Sequence, residues 1–200
     1  MTSSTAASTT STHIATGIST DALAPGTWTV DPTHTTVAFV ARHMMLSKVR
    51  GTFGEFTADV TIGDDPLRSS VTAEVQMASI DTGNPDRDGH LRTNDFFAID
   101  EFPTMSLRST GIERDGDDYV MHTELTVRGV TRSVDFALEF GGIGQDPWGN
   151  TRAGFEASAT INRRDFGIEW NTALETGGVL VGDKVQIELD VQIVQPGNAA

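Results

Sequence analysis

The strongest constraint in this sequence is a period of two. Val185, Ile187, Leu189, Val191 and Ile193 alternate with Lys184, Gln186, Glu188, Asp190 and Gln192. Val134, Phe136, Leu138 and Phe140 alternate in the same way with Ser133, Asp135, Ala137 and Glu139. Successive side chains of a strand point to opposite faces, so each row describes a sheet with one apolar and one wetted side. Phe155-Ala157-Ala159-Ile161, Val71-Ala73-Val75-Met77, Phe56-Ala58-Val60-Ile62 and Val37-Phe39-Ala41 repeat the pattern. So do Met105-Leu107-Ser109 and Tyr119-Met121-Thr123-Leu125-Val127. Turn formers separate the rows at Gly63-Asp64-Asp65-Pro66, Arg114-Asp115-Gly116-Asp117, Arg128-Gly129 and Gly182-Asp183. About eight short strands with short links make an all-β, mainly antiparallel fold. An up-and-down barrel fits best, and a sandwich fits the same pattern.

One segment departs from the rule. Between Pro85 and Ile99 the apolar residues Leu91, Phe96 and Phe97 do not alternate, and Asn84 is a good helix cap. A short helical excursion is expected there, lying over one end of the barrel.

The strands fill a single domain at residues 26–195. Before it, Met1–Pro25 is rich in Ser, Thr and Ala and reads as a flexible tail, and 196–200 is a shorter one. The opening residues have no early base and no apolar core of the kind an export signal needs, so a cytoplasmic location is expected. No stretch is apolar enough for a transmembrane helix.

Twenty-eight acidic against fourteen basic residues give a net charge of −14. That sign disfavours nucleic acid as a partner and a polybasic face for anionic lipid. There is no cysteine, hence no disulfide and no thiolate chemistry or ligation. The histidines have no spacing that joins two on one helix face, and no metal or other cofactor is expected. Neither a Gly-x-Ser-x-Gly elbow nor a phosphate-binding glycine loop is present. Exposed barrel edges or faces leave a homodimer open.

Pattern alone divides evenly between a filled barrel and one holding a ligand. Phe39, Met77, Met105, Phe136 and Phe155 are large enough to pack the centre, whereas Ala41, Ala58, Ala73, Ala157 and Ala159 leave room. The inner wall is expected to include Phe39, Val75, Met77, Met105, Leu107, Leu125, Phe136, Phe155 and Ile161, with Phe96 and Phe97 as a lid. Arginine outnumbers lysine, and its planar fork suits phosphate or carboxylate. Arg42, Arg87, His90 and Arg163 are the candidates for a polar mouth, although a surface ion pair is the ordinary explanation for any single arginine.

An ordered series of motifs narrows the choice. Trp28-Thr-Val-Asp-Pro-Thr-His34, Phe39-Val-Ala-Arg-His-Met44 and Lys48-Val-Arg-Gly51 open it. Arg87-Asp-Gly-His-Leu91, Asp95-Phe-Phe97, Phe102-Pro-Thr-Met105 and Ser109-Thr110 follow, then Leu125-Thr-Val-Arg-Gly-Val-Thr131 and Ile161-Asn-Arg-Arg-Asp-Phe-Gly167. Together they resemble the YceI family over roughly Thr27 to Val194. The resemblance implies an eight-stranded lipocalin-like barrel with an elongated apolar cavity. It also implies non-catalytic binding of a polyisoprenoid or another long-chain lipid, for carriage or storage. A stress-associated interaction module with a solid barrel is the rival reading, and a small-substrate enzyme using His43, His90 or a carboxylate is a third. Many family members are exported with a signal peptide, and the Ser/Thr-rich opening departs from that.

Overall fold

The computed structural model describes residues 20–173 and 178–196. Most of the expected N-terminal tail and residues 197–200 of the expected C-terminal one lie outside them. The strands are β1 (Gly26–Val30), β2 (Thr36–His43), β3 (Ser47–Phe53), β4 (Phe56–Ile62), β5 (Ser70–Gln76), β6 (Ile80–Asp81), β7 (Thr104–Asp115), β8 (Asp118–Val127), β9 (Val130–Gln145), β10 (Thr151–Asn162) and β11 (Val181–Val194). One helix, α1 (Pro85–Arg92), stands between β6 and β7.

Eleven strands form eight walls. β1 and β2 act as one bent strand, because β1 pairs with β4 while β2 pairs with β3, and both pair with β11. β3 and β4 form a second bent strand around Gly54-Glu55, and β5 and β6 a third around the turn Met77–Ser79. From there β7 to β11 run as a simple antiparallel meander. β11 then meets β1 through Thr29↔Val194 and Val30↔Ile193, which closes the barrel. The expected antiparallel eight-stranded barrel is therefore present, with β3 and the short β6 standing at the end of the strand order.

Local chemistry explains the punctuation. Asp31-Pro32, Asp65-Pro66 and Asn84-Pro85 each open a helical turn, with the Asx oxygen accepting the N–H of Thr33, Leu67 or Arg87. Proline there fixes φ and gives up an N–H that has no partner in a first turn. The helix expected after Asn84 forms, although it ends at Arg92 and residues 93–103 continue as turns. The β8–β9 connection is the two-residue turn Arg128–Gly129, both with positive φ (50° and 71°), the conformation that follows the twist of a hairpin. Gly182-Asp183, expected as a turn, instead begins β11 as a bulge opposite Arg42.

The two ends are closed differently. At the base end Trp28, Leu23, Ile62, Ala153 and Ile193 make one buried cluster. Trp28 Nε1 donates to Ala24 O at 2.9 Å, and the hydroxyls of Thr20 and Tyr119 lie 3.0 Å apart. Thr20, Leu23 and Ala24, grouped above with the tail, thus pack against the barrel. The apolar Leu23 gives that segment a reason to fold back. At the lid end, α1 and the turns after it cover the opening.

Candidate ligand-binding cavity

The apolar rows turn inward and enclose a cavity of about 290 Å³, near the ~300 Å³ floor of small-molecule pockets. Side-chain accessibility carries the same message. On β11, Val185, Ile187, Leu189 and Val191 face the interior yet remain only half-buried, because the space in front of them is not filled.

Ten of the eleven expected wall and lid residues line this space. Phe39, Val75, Met105, Leu107 and Leu125 do so from β2, β5, β7 and β8. Phe136, Phe155 and Ile161 line it from β9 and β10, and Phe96 and Phe97 from the lid. Met77 does not. β5 ends at Gln76, so Met77 leaves the alternation, starts the turn Met77–Ser79 and packs with Phe53, Val75 and Ile80. Sequence parity missed the break because Met77 continues the apolar rhythm exactly where the backbone leaves it. Residues not singled out above also contribute, among them Val60, Ile112, Leu138 and Ile187. They belong to the same rows, and that membership was the available signal.

The lining is apolar apart from Thr35, Ser69, Ser70, Ser106 and Arg163. No carboxylate and no histidine stands among those residues. His34 sits in a helical turn against Asp31, and His43 is exposed at the end of β2. His122 lies outside the barrel, 2.8 Å from Asp135, and that hydrogen bond raises its pKa.

The four polar-mouth candidates are not gathered into one mouth. Arg163 is 3 % exposed and borders the cavity. Its guanidinium donates to the carbonyls of Ile168 (2.7 Å), Trp170 (2.9 Å) and Gly182 (3.1 Å), and to Asp183 Oδ1 (3.1 Å). Burial lowers its pKa, with Asp183 pulling the other way. Arg87 clamps the start of α1, giving Nε–H to Thr82 Oγ1 (2.7 Å) and Nη2–H to Thr82 O (2.8 Å). Asp88, buried behind it, accepts from the N–H and hydroxyl of the same threonine. Arg42 is exposed near the β2–β3 turn, with the opposite parity to the lining residues Phe39 and Ala41.

His90 belongs to the lid. Its Nε2 lies 2.8 Å from Asp95 Oδ2, and its ring meets Phe96 and Trp170 edge-on at centroid distances of 5.1 and 4.7 Å. Phe96 in turn packs with Phe166, Ile168, Leu125 and Val127. The lid is thus a layer of aromatic rings anchored by a histidine–carboxylate pair on its outer side and by the buried Arg163.

A closed antiparallel barrel with an apolar hollow and a covered end defines a lipocalin-like fold. The comparisons with known proteins agree with it and supply the family. The family model for a YceI-like domain matches residues 28–193. A UPF0312 protein of Staphylococcus epidermidis is 38% identical over 164 residues, covering 81% of this chain and 94% of its own. A UPF0312 protein of Photorhabdus laumondii is 37% identical over 137 residues, 68% of this chain and 71% of its own. This chain belongs to the YceI family. Among solved structures, BcnA of Burkholderia cenocepacia superposes with a TM-score of 0.69 at 22% identity, over 82% of this chain and 98% of that one. A polyisoprenoid binding domain from Saccharophagus degradans, implicated in plant cell wall breakdown, gives 0.63 at 15% identity, over 86% and 100%. Both likenesses concern the fold.

Proposed function

We propose that the barrel binds a long-chain amphiphilic lipid, a polyisoprenoid or a close chemical relative, and carries or stores it without transforming it. The observation that supports this most is the lining: a wall of aliphatic and aromatic side chains with no carboxylate or histidine on it among the described residues. Proton transfer needs a titratable group within hydrogen-bond reach of the substrate. Arg163, the one charged residue on the wall among the described residues, already spends its donors on three carbonyls and a carboxylate.

Burial supplies the driving force. Each methylene removed from water contributes roughly 0.8 kcal/mol, so a five-carbon isoprene unit contributes about 4 kcal/mol before costs. Association costs on the order of 4–15 kcal/mol. One unit does not repay that cost and several do, so affinity should climb with chain length until the hollow is full. A solid barrel, the rival reading, does not fit inward side chains that remain half-buried around open space.

Native mass spectrometry of protein purified without added lipid, followed by organic extraction, tests the reading. A bound species of isoprenoid or fatty character is expected. A protein that emerges empty and also fails to take up prenyl alcohols of any length would overturn it.

A further inference from the structure

Among the described residues four large apolar side chains are exposed, and three of them sit at the lid end: Met45 (62 %), Leu46 (80 %) and Val179 (36 %). Met45 and Leu46 form the tip of the β2–β3 hairpin. The N–H of Met44 donates to Leu180 O at 2.8 Å, which ties that tip to the segment bearing Val179. Met45 Sδ also reaches over the start of β11, close to Gly182.

The tip is not built for its own stability. Met44 and Met45 both hold positive φ (52° and 59°), where Gly or Asn is the ordinary choice. Just behind them Arg42 and Lys48 stand directly opposite each other on β2 and β3, both exposed. Like charges in that position weaken a hairpin. Lys184, also exposed, adds a third cation at the bulge of β11 beside Arg42. Among the described residues none of the three makes an ion pair, whereas the neighbouring Asp183 and Glu188 are engaged by Arg163, Arg164 and Arg50. On a chain of net charge −14, this small area is therefore apolar at its point and basic around it.

We propose that the Met45-Leu46 tip, ringed by Arg42, Lys48 and Lys184, docks the lid end of the barrel on an anionic lipid surface. Three apolar side chains are far too few for the roughly 800 Å² per partner of a stable protein interface. They suffice for shallow insertion at the headgroup boundary, with cations beside them attracted to the leaflet. Docking there also brings the lid against the membrane. Val181, next to Leu180, packs in the same cluster as Phe96 and Trp170, so the tip and the lid share a foundation. The proposal departs from the expectation drawn from net charge, because the local charge at the tip differs in sign from that of the whole chain.

The test uses the full chain with vesicles and does not depend on cargo. Co-sedimentation is measured with pure phosphatidylcholine vesicles and with vesicles containing roughly a third phosphatidylglycerol, at low salt and at about 150 mM, where charges are screened beyond about 8 Å. Binding is expected on the anionic vesicles and should weaken with salt. The double variants Met45→Ser/Leu46→Ser and Lys48→Glu/Lys184→Glu should each lower it about tenfold or more. Trp148→Ser, at the base end, should leave it unchanged, and the tip variants should still take up a prenyl alcohol. Failure to bind anionic vesicles overturns the proposal, as does equal binding to both vesicle types or binding that survives both double variants. Loss of a dimer on light scattering in the tip variants, without vesicle binding, overturns it in favour of self-association. An empty cavity in a protein that still docks counts against the carrier reading alone.

Discussion

The hollow is best tested by filling it. Ala73 on β5 faces Ala58 and Leu107 across its neighbours, and Ala157 on β10 faces Leu138 and Leu189, with all six residues on the cavity wall. Replacing Ala73 and Ala157 by Phe puts six extra carbons at each position into that space. If each ring excludes about four ligand methylenes, the loss at roughly 0.8 kcal/mol apiece is about 3 kcal/mol per ring, or about 200-fold in Kd for each single variant. In a packed core the same insertions cost about 1–3 kcal/mol each, and a domain of this size loses roughly 2–4 °C of Tm per kcal/mol. The two pictures therefore move in opposite directions. A hollow barrel keeps its Tm when stripped of lipid and binds long prenyl alcohols far more weakly, while alcohols of one or two units are little affected. Isothermal titration across a chain-length series, paired with thermal melts, reads both quantities. A melt lowered by several degrees in each single variant, or unaltered long-chain affinity in a folded double variant, would show that the space is not where the ligand goes.

Three further outcomes follow from the ends of the barrel. Arg163→Met leaves three buried carbonyls without a donor and should cost about 3 kcal/mol, or about 6–12 °C on a thermal melt; Arg163→Lys should not restore it, since an ammonium cannot reach the same fork of partners. Trp28→Ala opens the base cluster and should cost about 3–5 kcal/mol by chemical denaturation. At the same end Arg152 donates to Asp31 and Asp146 and holds both carboxylates well below their ordinary range. Their folded pKa values lie below the unfolded ones, so the stability they supply is complete above about pH 4 and drains as pH falls further. Arg152→Met should be less stable than the parent at neutral pH and show a shallower acid decline, whereas an unchanged acid decline refutes the linkage.

How much of this was legible in the sequence depends on how local the cause is. The barrel was readable because alternation is imposed by the pleat itself, and the same rows that fix the strands also name the wall. Asn84-Pro85 announced α1 for an equally local reason. Other features depend on partners distant in the chain. Nothing around Met77 reports that β5 and β6 bend to follow β3, and nothing around Arg163 reports that Ile168, Trp170 and Gly182 will aim their carbonyls at it. Arginine types suggested a phosphate-binding mouth, and the structure uses Arg87 and Arg163 to pin backbone. The contact of Gly51 with the Phe39 ring is a case between the two. The glycine stands in plain view at the end of the Lys48-Val-Arg-Gly51 motif, but its role, leaving the space into which a cross-strand aromatic lies, emerges only with the register.

The placement of the polar pins explains how a barrel can stay hollow and folded. A cavity forfeits contacts that a filled core would make, so stability must be recovered elsewhere. Here it is recovered at the rims. The polar motif residues that carry the family resemblance include the pins there: Asp31 caps a turn and pairs with Arg152, Arg87 grips Thr82, His90 meets Asp95, and Arg163 gathers three carbonyls. Between the rims the walls need only be apolar and of roughly constant width, which Val, Ile, Leu, Phe and Ala satisfy in many combinations. This division makes a sharp comparison possible. Conservative exchanges among wall residues, such as Ile187→Val or Leu138→Ile, should alter ligand length preference more than Tm, whereas exchanges at Arg87 or Arg163 should alter Tm at any ligand length. Parallel melts and chain-length titrations on the four variants decide it, and wall exchanges that lower Tm as far as rim exchanges do would mean the centre is packed for stability after all.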